Sequence, residues 1–432
     1  MKTNLTINRT VTQDLGEGAS CNPALDIAPW SLDVAAGKKA LPQYGPGSSQ
    51  LDVAPPATPL QYEIPAIYRQ MSNDELDSRI KQARAILGKK LVILGHHYQR
   101  EDIIKYADYR GDSYKLSLQA AGRKEAEYIV FCGVHFMAES ADILSGPDQK
   151  VILPNMAAGC SMADMANLED VLNCWDDLDT ILDSEDPKNL GHQPVLPVTY
   201  MNSAADLKGF CGQHNGIVCT SSNADKILEW AFERGQRVLF FPDQHLGRNT
   251  GLKMGIPLDQ MVLWNPRKPL GGNRPEQLRQ ARVILWNGFC SVHKRFNPAQ
   301  IAKARADYPG VRVIVHPECP MEVVQQADEA GSTEYIIQAV EKAPSGSVLA
   351  IGTEINLVRR LQVENPDKTI FCLDPVICPC STMYRIHPAY LAWVLDGLLE
   401  GKVYNRIVVE PETAHWAKVA LDRMIACTDG QK

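Results

Sequence analysis

"KLVILGHHYQ", Lys90–Gln99, decides the fold. An apolar run from Leu91 to Leu94 passes through a glycine into His96, His97 and Tyr98. A strand apolar on both faces is covered on both faces, as in a parallel sheet between helix layers. Ligand sites in such sheets lie beyond the carboxyl ends of the strands, where the two histidines and the tyrosine stand. The design returns in "QPVLPVTYMN" (Gln193–Asn202) and "VRVIVHPECP" (Val311–Pro320), each an apolar strand running into Tyr or His and then into a helix. A second trio reads "KVILPNMAAG" (Lys150–Gly159), "RVLFFPDQHLG" (Arg237–Gly247) and "SVLAIGTEIN" (Ser347–Asn356). With "AEYIVFCG", "GIVCTS", "RVILWNG" and "TIFCLD" as further strands, helix-length stretches between them predict α/β layers in three related units.

The totals agree with this. The chain has 432 residues, 45% hydrophobic and 22% charged, enough for two or three compact units. Its formal net charge of −7 leaves no basic footprint for nucleic acid. The N-terminus has no apolar core of signal-peptide type, and no segment approaches 18 uninterrupted apolar residues, so the expectation is a cytoplasmic protein without a membrane partner. Twelve cysteines in such a compartment suggest buried core residues and a minority of metal ligands, not disulfides.

Residues up to about Thr58 have the Gly, Pro, Ser and Ala content of a tail, as in "ALPQYGPGSSQLDVAPPATP". Ser72 or Asn73 caps a helix that opens the folded part. "NLEDVLNCWDDLDTILDSEDPKNLGHQ", Asn167–Gln193, is acidic and reads as a helical surface insertion with solvated charges. The expected division is an extension over 1–80, a first unit over 81–165, the insertion over 166–193, a second unit over 194–289, a third over 290–380 and C-terminal helices over 381–432. The C-terminal segment is expected to pack on the first unit.

The predicted strand ends are rich in polar residues: His96, Tyr98, Cys132, Tyr200, Asn202, Ser221, Asn223, Asp243, His245, Cys290, His293, His316, Glu318, Glu354, Cys378 and Cys380. Any one of the histidines is more often structural than catalytic. Several in each cycle point to a site. Among the cysteines, Cys132, Cys290 and Cys380 stand at strand-to-loop transitions, whereas Cys219 and Cys372 lie inside apolar runs. Cys160, Cys174, Cys211, Cys319 and Cys427 lack an evident ligand context, and Cys21 is in the tail. No C-x-x-C pair of zinc-ribbon type, H-E-x-x-H, G-x-G-x-x-G or Walker A pattern occurs. "CTSSNADK" and "ADEAGSTEYI" put hydroxyls before helix starts, which suits either an anion or simple N-capping.

Together "GHHYQ", "GDSYKLS", "FCGVHFMAES", "LPNMAAGCSMADM", "VTYMNSAADLKG", "CTSSNA", "FFPDQHLGRNTG", "WNGFCSVH", "HPECPMEV", "GSTEYI", "IGTEINLV" and "CPCSTM" resemble the quinolinate synthase family of de novo NAD biosynthesis, from about Leu91 to about Leu398. The resemblance implies three similar αβα units around a pseudo-threefold axis, each bringing one cysteine to a central [4Fe–4S] cluster. By motif, Cys132 ("FCGV-FMAE") would be the first thiolate and Cys290 (C-x-x-H) the second. Cys380, three residues before Met383, would be the third, a spacing that Cys378 does not fit. One iron would then lack a thiolate and serve as a Lewis acid. The implied reaction condenses iminoaspartate with dihydroxyacetone phosphate to quinolinate, phosphate and water, with an L-aspartate oxidase as a supplier of iminoaspartate. Carried over by motif, Tyr98, Glu318, His293 and His316 would do acid–base work. His96, Ser113, Tyr200, Asn202, Ser221, Asn223, Ser332 and Thr333 would hold substrate. Free tyrosine titrates near 10 and glutamate near 4.3, so the site must shift Tyr98 and Glu318 toward neutrality or use them as a relay. The rival readings are an aconitase-type iron–sulfur hydro-lyase, an iron–sulfur sensor without turnover and a zinc-dependent enzyme.

Overall fold

The computed structural model describes residues 63–182, 192–376 and 379–429. The N-terminal tail, the end of the acidic segment and Cys378 therefore lie outside the described residues. Three parallel sheets carry the molecule. The first, in the order β2-β1-β3-β4, is built from β1 (Leu91–His96), β2 (Tyr109–Gly111), β3 (Tyr128–Cys132) and β4 (Lys150–Ile152). The second, β6-β5-β7-β9-β8, is built from β5 (Leu196–Tyr200), β6 (Ile217–Cys219), β7 (Val238–Phe241), β8 (Met261–Trp264) and β9 (Val283–Trp286). The third, β11-β10-β12-β13, is built from β10 (Arg312–Val315), β11 (Glu329–Ala330), β12 (Val348–Gly352) and β13 (Thr369–Cys372). Every strand pair is parallel. All of β1, β5 and β7 is buried, the reason their sequences are continuous apolar runs.

The ten expected strands are present. Sequence reading passed over β2, β8 and β11, of which β2 and β11 hold three and two residues. The sheet orders also correct the second trio. Strand one of each unit is β1, β5 and β10, as expected, but "KVILPNMAAG" holds β4, a fourth strand. The partners of β7 and β12 are β3, and those of β4 are β9 and β13. Short apolar runs look alike, so only pairing order fixes which strand matches which.

Each sheet has its own apolar core. Ser72 caps the helix Asn73–Leu87 with a capping box to Glu75. Leu76, Ile80 and Ala83 of that helix join the first core, as does nearly all of Pro388–Leu399. That segment packs on the first unit. The last helix, Pro411–Asp429, instead sends Ala417, Ala420, Leu421 and Met424 into the second core. The acidic segment is helical over Leu168–Ile181, but Val171, Cys174 and Leu178 are buried in the second core. Apolar residues three and four apart form the inner stripe, and only the outer face carries solvated charge. No helix among the described residues is long and apolar enough to cross a membrane.

Candidate active site

The ends of equivalent strands carry equivalent chemistry. After strand one come His96 and Tyr98, then Tyr200 and Asn202, then His316 and Glu318. Two residues past strand two come Ser113, Ser221 and Ser332. After strand four come Cys160, Cys290 and Cys380.

The three cysteine loops repeat residue for residue. In each, serine follows the cysteine and a short 3₁₀ turn starts three residues on, at Ala163, His293 and Met383. The cysteine carbonyls accept from the N–H of Asp164, Lys294 and Tyr384, all at 3.0 Å. A helix cap stands seven residues after each cysteine, at Asn167, Asn297 and His387, and each cap accepts a backbone N–H through its side chain. The acidic helix is thus the first unit's copy of Pro298–Asp307 and Pro388–Leu399, not an insertion.

Burial raises all three thiols, Cys160 to about 12, and nearby charge adds to it: the Cys380 thiol at Cys160, Glu318 and then the other thiols at Cys290, and Glu354 at Cys380. Cys160 and Cys380 act on Cys290, and Cys380 acts on Cys160. The backbone N–H groups of Ala163, His293 and Met383 oppose this by donating to the sulfurs. Cys132 is not brought into this company. It ends β3, is 0% exposed, packs in the first core, and burial alone pushes its thiol to about 12. Its counterparts in the other units are Phe241 and Gly352, both two residues before the next helix cap. The sequence signal for Cys160 was the Cys-Ser dipeptide, which occurs at 160, 290 and 380 and at no other cysteine.

Beside the cysteines lies a hydrogen-bonded acid–base network. Glu318, 2% exposed, accepts from Tyr200 Oη at 2.7 Å and lies 2.8 Å from His293 Nδ1. Burial would raise this carboxyl, but His293, His316 and the two hydrogen bonds outweigh it and hold it below the ordinary range. Tyr98 and Tyr200 are pushed well above 10, first by burial and then by the Glu318 charge. The shifts run away from neutrality, which leaves the relay of the two sequence-based options.

The two H-x-acid turns share one geometry. His96 Nδ1 accepts the Tyr98 N–H at 3.1 Å, and His316 Nδ1 accepts the Glu318 N–H at 3.3 Å. Burial holds both rings neutral, His316 down to about 3. With Nδ1 accepting, the ring proton sits on Nε2, so each is a hydrogen-bond donor. His316 also stacks on His293 at 4.5 Å. Asn249 ties the His316–Cys319 turn down through the carbonyls of Pro317 and Cys319, at 2.8 and 2.9 Å.

The other expected residues divide. Ser113 reaches Asn202 Oδ1 at 3.3 Å, joining the first and second units, and Ser221 bonds Tyr200. Ser332 caps its helix on Tyr335 N, the capping work that sequence left open, whereas Asn223 Oδ1 turns back to accept the Thr220 N–H at 2.6 Å and gives its helix no side-chain cap. Thr333 is buried at the first position of that helix. A cavity of about 490 Å³ opens between the second and third units beside Ser221 and Ser332. Asp243 and Glu354 cap the helices after strand three and face the Cys290 and Cys380 backbone N–H groups, Glu354 at 3.1 Å. The first unit has Val134 there.

Ligand atoms of Cys290, His293 and Glu318 lie within 4.8 Å of one another, so metal-capable donors and the acid–base network meet at one point. Comparison with known proteins bears on this centre. The family model for quinolinate synthetase A protein matches residues 78–426. The quinolinate synthase of Corynebacterium glutamicum is 62% identical over 383 residues, 89% of this chain and 95% of the relative. Those of a Nocardioides species and of Acidobacterium capsulatum are each 55% identical, over 84% and 83% of this chain and 92% and 94% of their own. The chain belongs to the quinolinate synthetase A protein family.

Proposed function

We propose that the chain condenses iminoaspartate with dihydroxyacetone phosphate to quinolinate, with a [4Fe–4S] cluster held by Cys160, Cys290 and Cys380. The carrying observation is the threefold cysteine loop, three thiols with N–H donors at the same offset, beside one buried acid–base network. Soft thiolates with N–H···S bonds are a donor set suited to iron–sulfur. Cys160 replaces Cys132 in the set that motif matching implied. Bound there, the cluster would present one iron without a thiolate, a Lewis acid for substrate oxygen or nitrogen.

The remaining chemistry belongs to side chains. The Nε2–H groups of His96 and His316 are neutral donors suited to substrate carboxylate and phosphate oxygens. Glu318 is an ionised acceptor between a phenol and an imidazole, able to take a proton released at substrate carbon and return it to a departing hydroxide. Ser113, Asn202 and Ser221 line the approach from the neighbouring units. An L-aspartate oxidase would supply the iminoaspartate.

The test is a product assay on anaerobically purified full-length protein, with iron and sulfide content and the visible spectrum. Quinolinate with about four irons per chain is the expected result for one such cluster. Zinc in place of iron, or water addition to a substrate without carbon–carbon bond formation, would overturn it.

A further inference from the structure

Strand three of the third unit places a buried hydroxyl between two of the acid–base side chains. Thr353 follows β12, is 1% exposed, and puts Oγ1 2.8 Å from Tyr98 Oη and 3.1 Å from His293 Nε2. Its counterparts after β3 and β7 are Gly133 and Pro242, so no other unit offers such a group.

The direction of the bond to Glu318 follows from chemistry. The ionised Glu318 can only accept, so His293 gives it the Nδ1 proton at 2.8 Å. The other ring nitrogen, Nε2, faces Thr353 Oγ1 at 3.1 Å. Threonine has one proton to give and lone pairs to receive. Its one hydroxyl therefore bonds both the Tyr98 phenol and the His293 ring. The result is one hydrogen-bonded chain, Tyr98–Thr353–His293–Glu318, which Tyr200 joins from the other side at 2.7 Å. Its members come from all three sheets and from the Cys290 loop.

Resting on the function proposed above, we infer that Thr353 is a positioning residue, whose hydroxyl fixes the Tyr98 phenol and the His293 ring in one mutual orientation. The hydroxyl is not needed to build the strand. Valine has the same shape and equal liking for a strand end, and the Thr353 carbonyl has its own contact with Cys372 Sγ at 3.9 Å.

The experiment compares Thr353→Val and Thr353→Ser in the full-length, cluster-loaded protein. Valine should keep iron content, visible spectrum and KM and lose about 10²-fold in kcat, the scale of a misplaced reacting group. Serine should restore most of that loss. Normal kcat in Thr353→Val, or an equal fall in Thr353→Ser, would overturn the inference, since the first makes the hydroxyl idle and the second makes the methyl the important part. A crystal structure of Thr353→Val decides the matter without turnover. Rotation of the Tyr98 or His293 ring is expected, and unmoved rings would overturn the inference. A wild-type protein that makes no quinolinate would sink the functional reading alone.

Discussion

In the first unit β3 and β4 run side by side, and each leads into a cysteine. Cys132 closes β3 in an apolar setting, and among the described residues no thiol and no N–H donor acts on its sulfur. Cys160 comes after β4, half-buried, in a loop that turns N–H groups of Met162 and Ala163 onto the sulfur and looks toward two more thiols. A cysteine at a strand end is therefore not a ligand by virtue of its place. Each cysteine of the proposed ligand set has an open side, donors for its charge and companions. The repeat supplies all of these at strand four and none at strand three of this unit.

The sharpest way to break this comparison is to change the two sulfurs separately. Cys160→Ser should lose the cluster nearly completely, as should Cys290→Ser and Cys380→Ser, because each removes one of three thiolates. Cys132→Ser should keep iron and sulfide at wild-type content. The reverse pattern, measured on anaerobically purified protein, would return Cys132 to the ligand set.

The next effect separates strand-one chemistry from strand-four chemistry. Glu318→Gln keeps the shape beside Tyr200 and His293 but abolishes the charge they share. Quinolinate formation should fall by about 10²–10⁴-fold, roughly 3–5 kcal/mol of barrier, with the cluster spectrum intact. A loss of iron in this variant would place Glu318 among the ligands, and near-normal turnover would leave Tyr98 as the principal acid–base group.

Strand one also sets the acid limit of stability. Burial, with His293 beside it, holds His316 down to about 3, and burial with His97 and Arg360 holds His96 well below 6.5. Below pH about 6.5 the unfolded chain takes up protons that the folded rings refuse. The two rings therefore contribute a loss of stability as pH drops toward 3, by about 1.4 kcal/mol per unit for each, opposed between about 7 and 4.5 by Glu354, whose carboxyl burial raises to about 7. Relative to His316→Asn, the wild-type denaturant midpoint should fall from about pH 7 to about pH 5. Equal slopes would acquit His316.

Much of this was legible before any coordinates. Apolar runs gave the strands because both faces of every sheet are covered, and His96, Tyr98, Tyr200, His316 and Glu318 stand out because polar groups at such strand ends face a common centre. The error lay in the pairing of repeats. "KVILPNMAAG" reads as strand three but is strand four, so the match between Cys160 and the loops of Cys290 and Cys380 does not show in the repeat as read from sequence, and the motif "FCGV-FMAE" implies Cys132 in its place. Periodicity registers burial but not pairing order, which depends on contacts distant in sequence. The acidic helix misled in the same way, since its outer charges outweigh in composition the stripe of Val171, Cys174 and Leu178 that ties it to the second core. Thr353 was illegible for another reason: its importance lies in two distances to residues from other parts of the chain.

The smallest effect is the one that tests whether Cys132 is a core residue at all. Its neighbours on β1 and β3 are buried, Gly95 is its partner across the sheet, and no polar group among the described residues answers its sulfur. Cys132→Ala removes one sulfur from a packed setting and leaves a hole of about that size, costing about 1 kcal/mol, on the scale of one deleted methylene. Serine at the same place buries a hydroxyl and should cost more than alanine, by about 1 kcal/mol or above when the hydroxyl finds no partner. That order, alanine better tolerated than serine with iron unchanged in both, is what a packed thiol predicts. A ligand predicts the opposite, equal loss of cluster from either change. Chemical denaturation of the cluster-loaded variants beside their iron content separates the two, and a serine variant as stable as alanine would show that the sulfur already sits beside a polar partner.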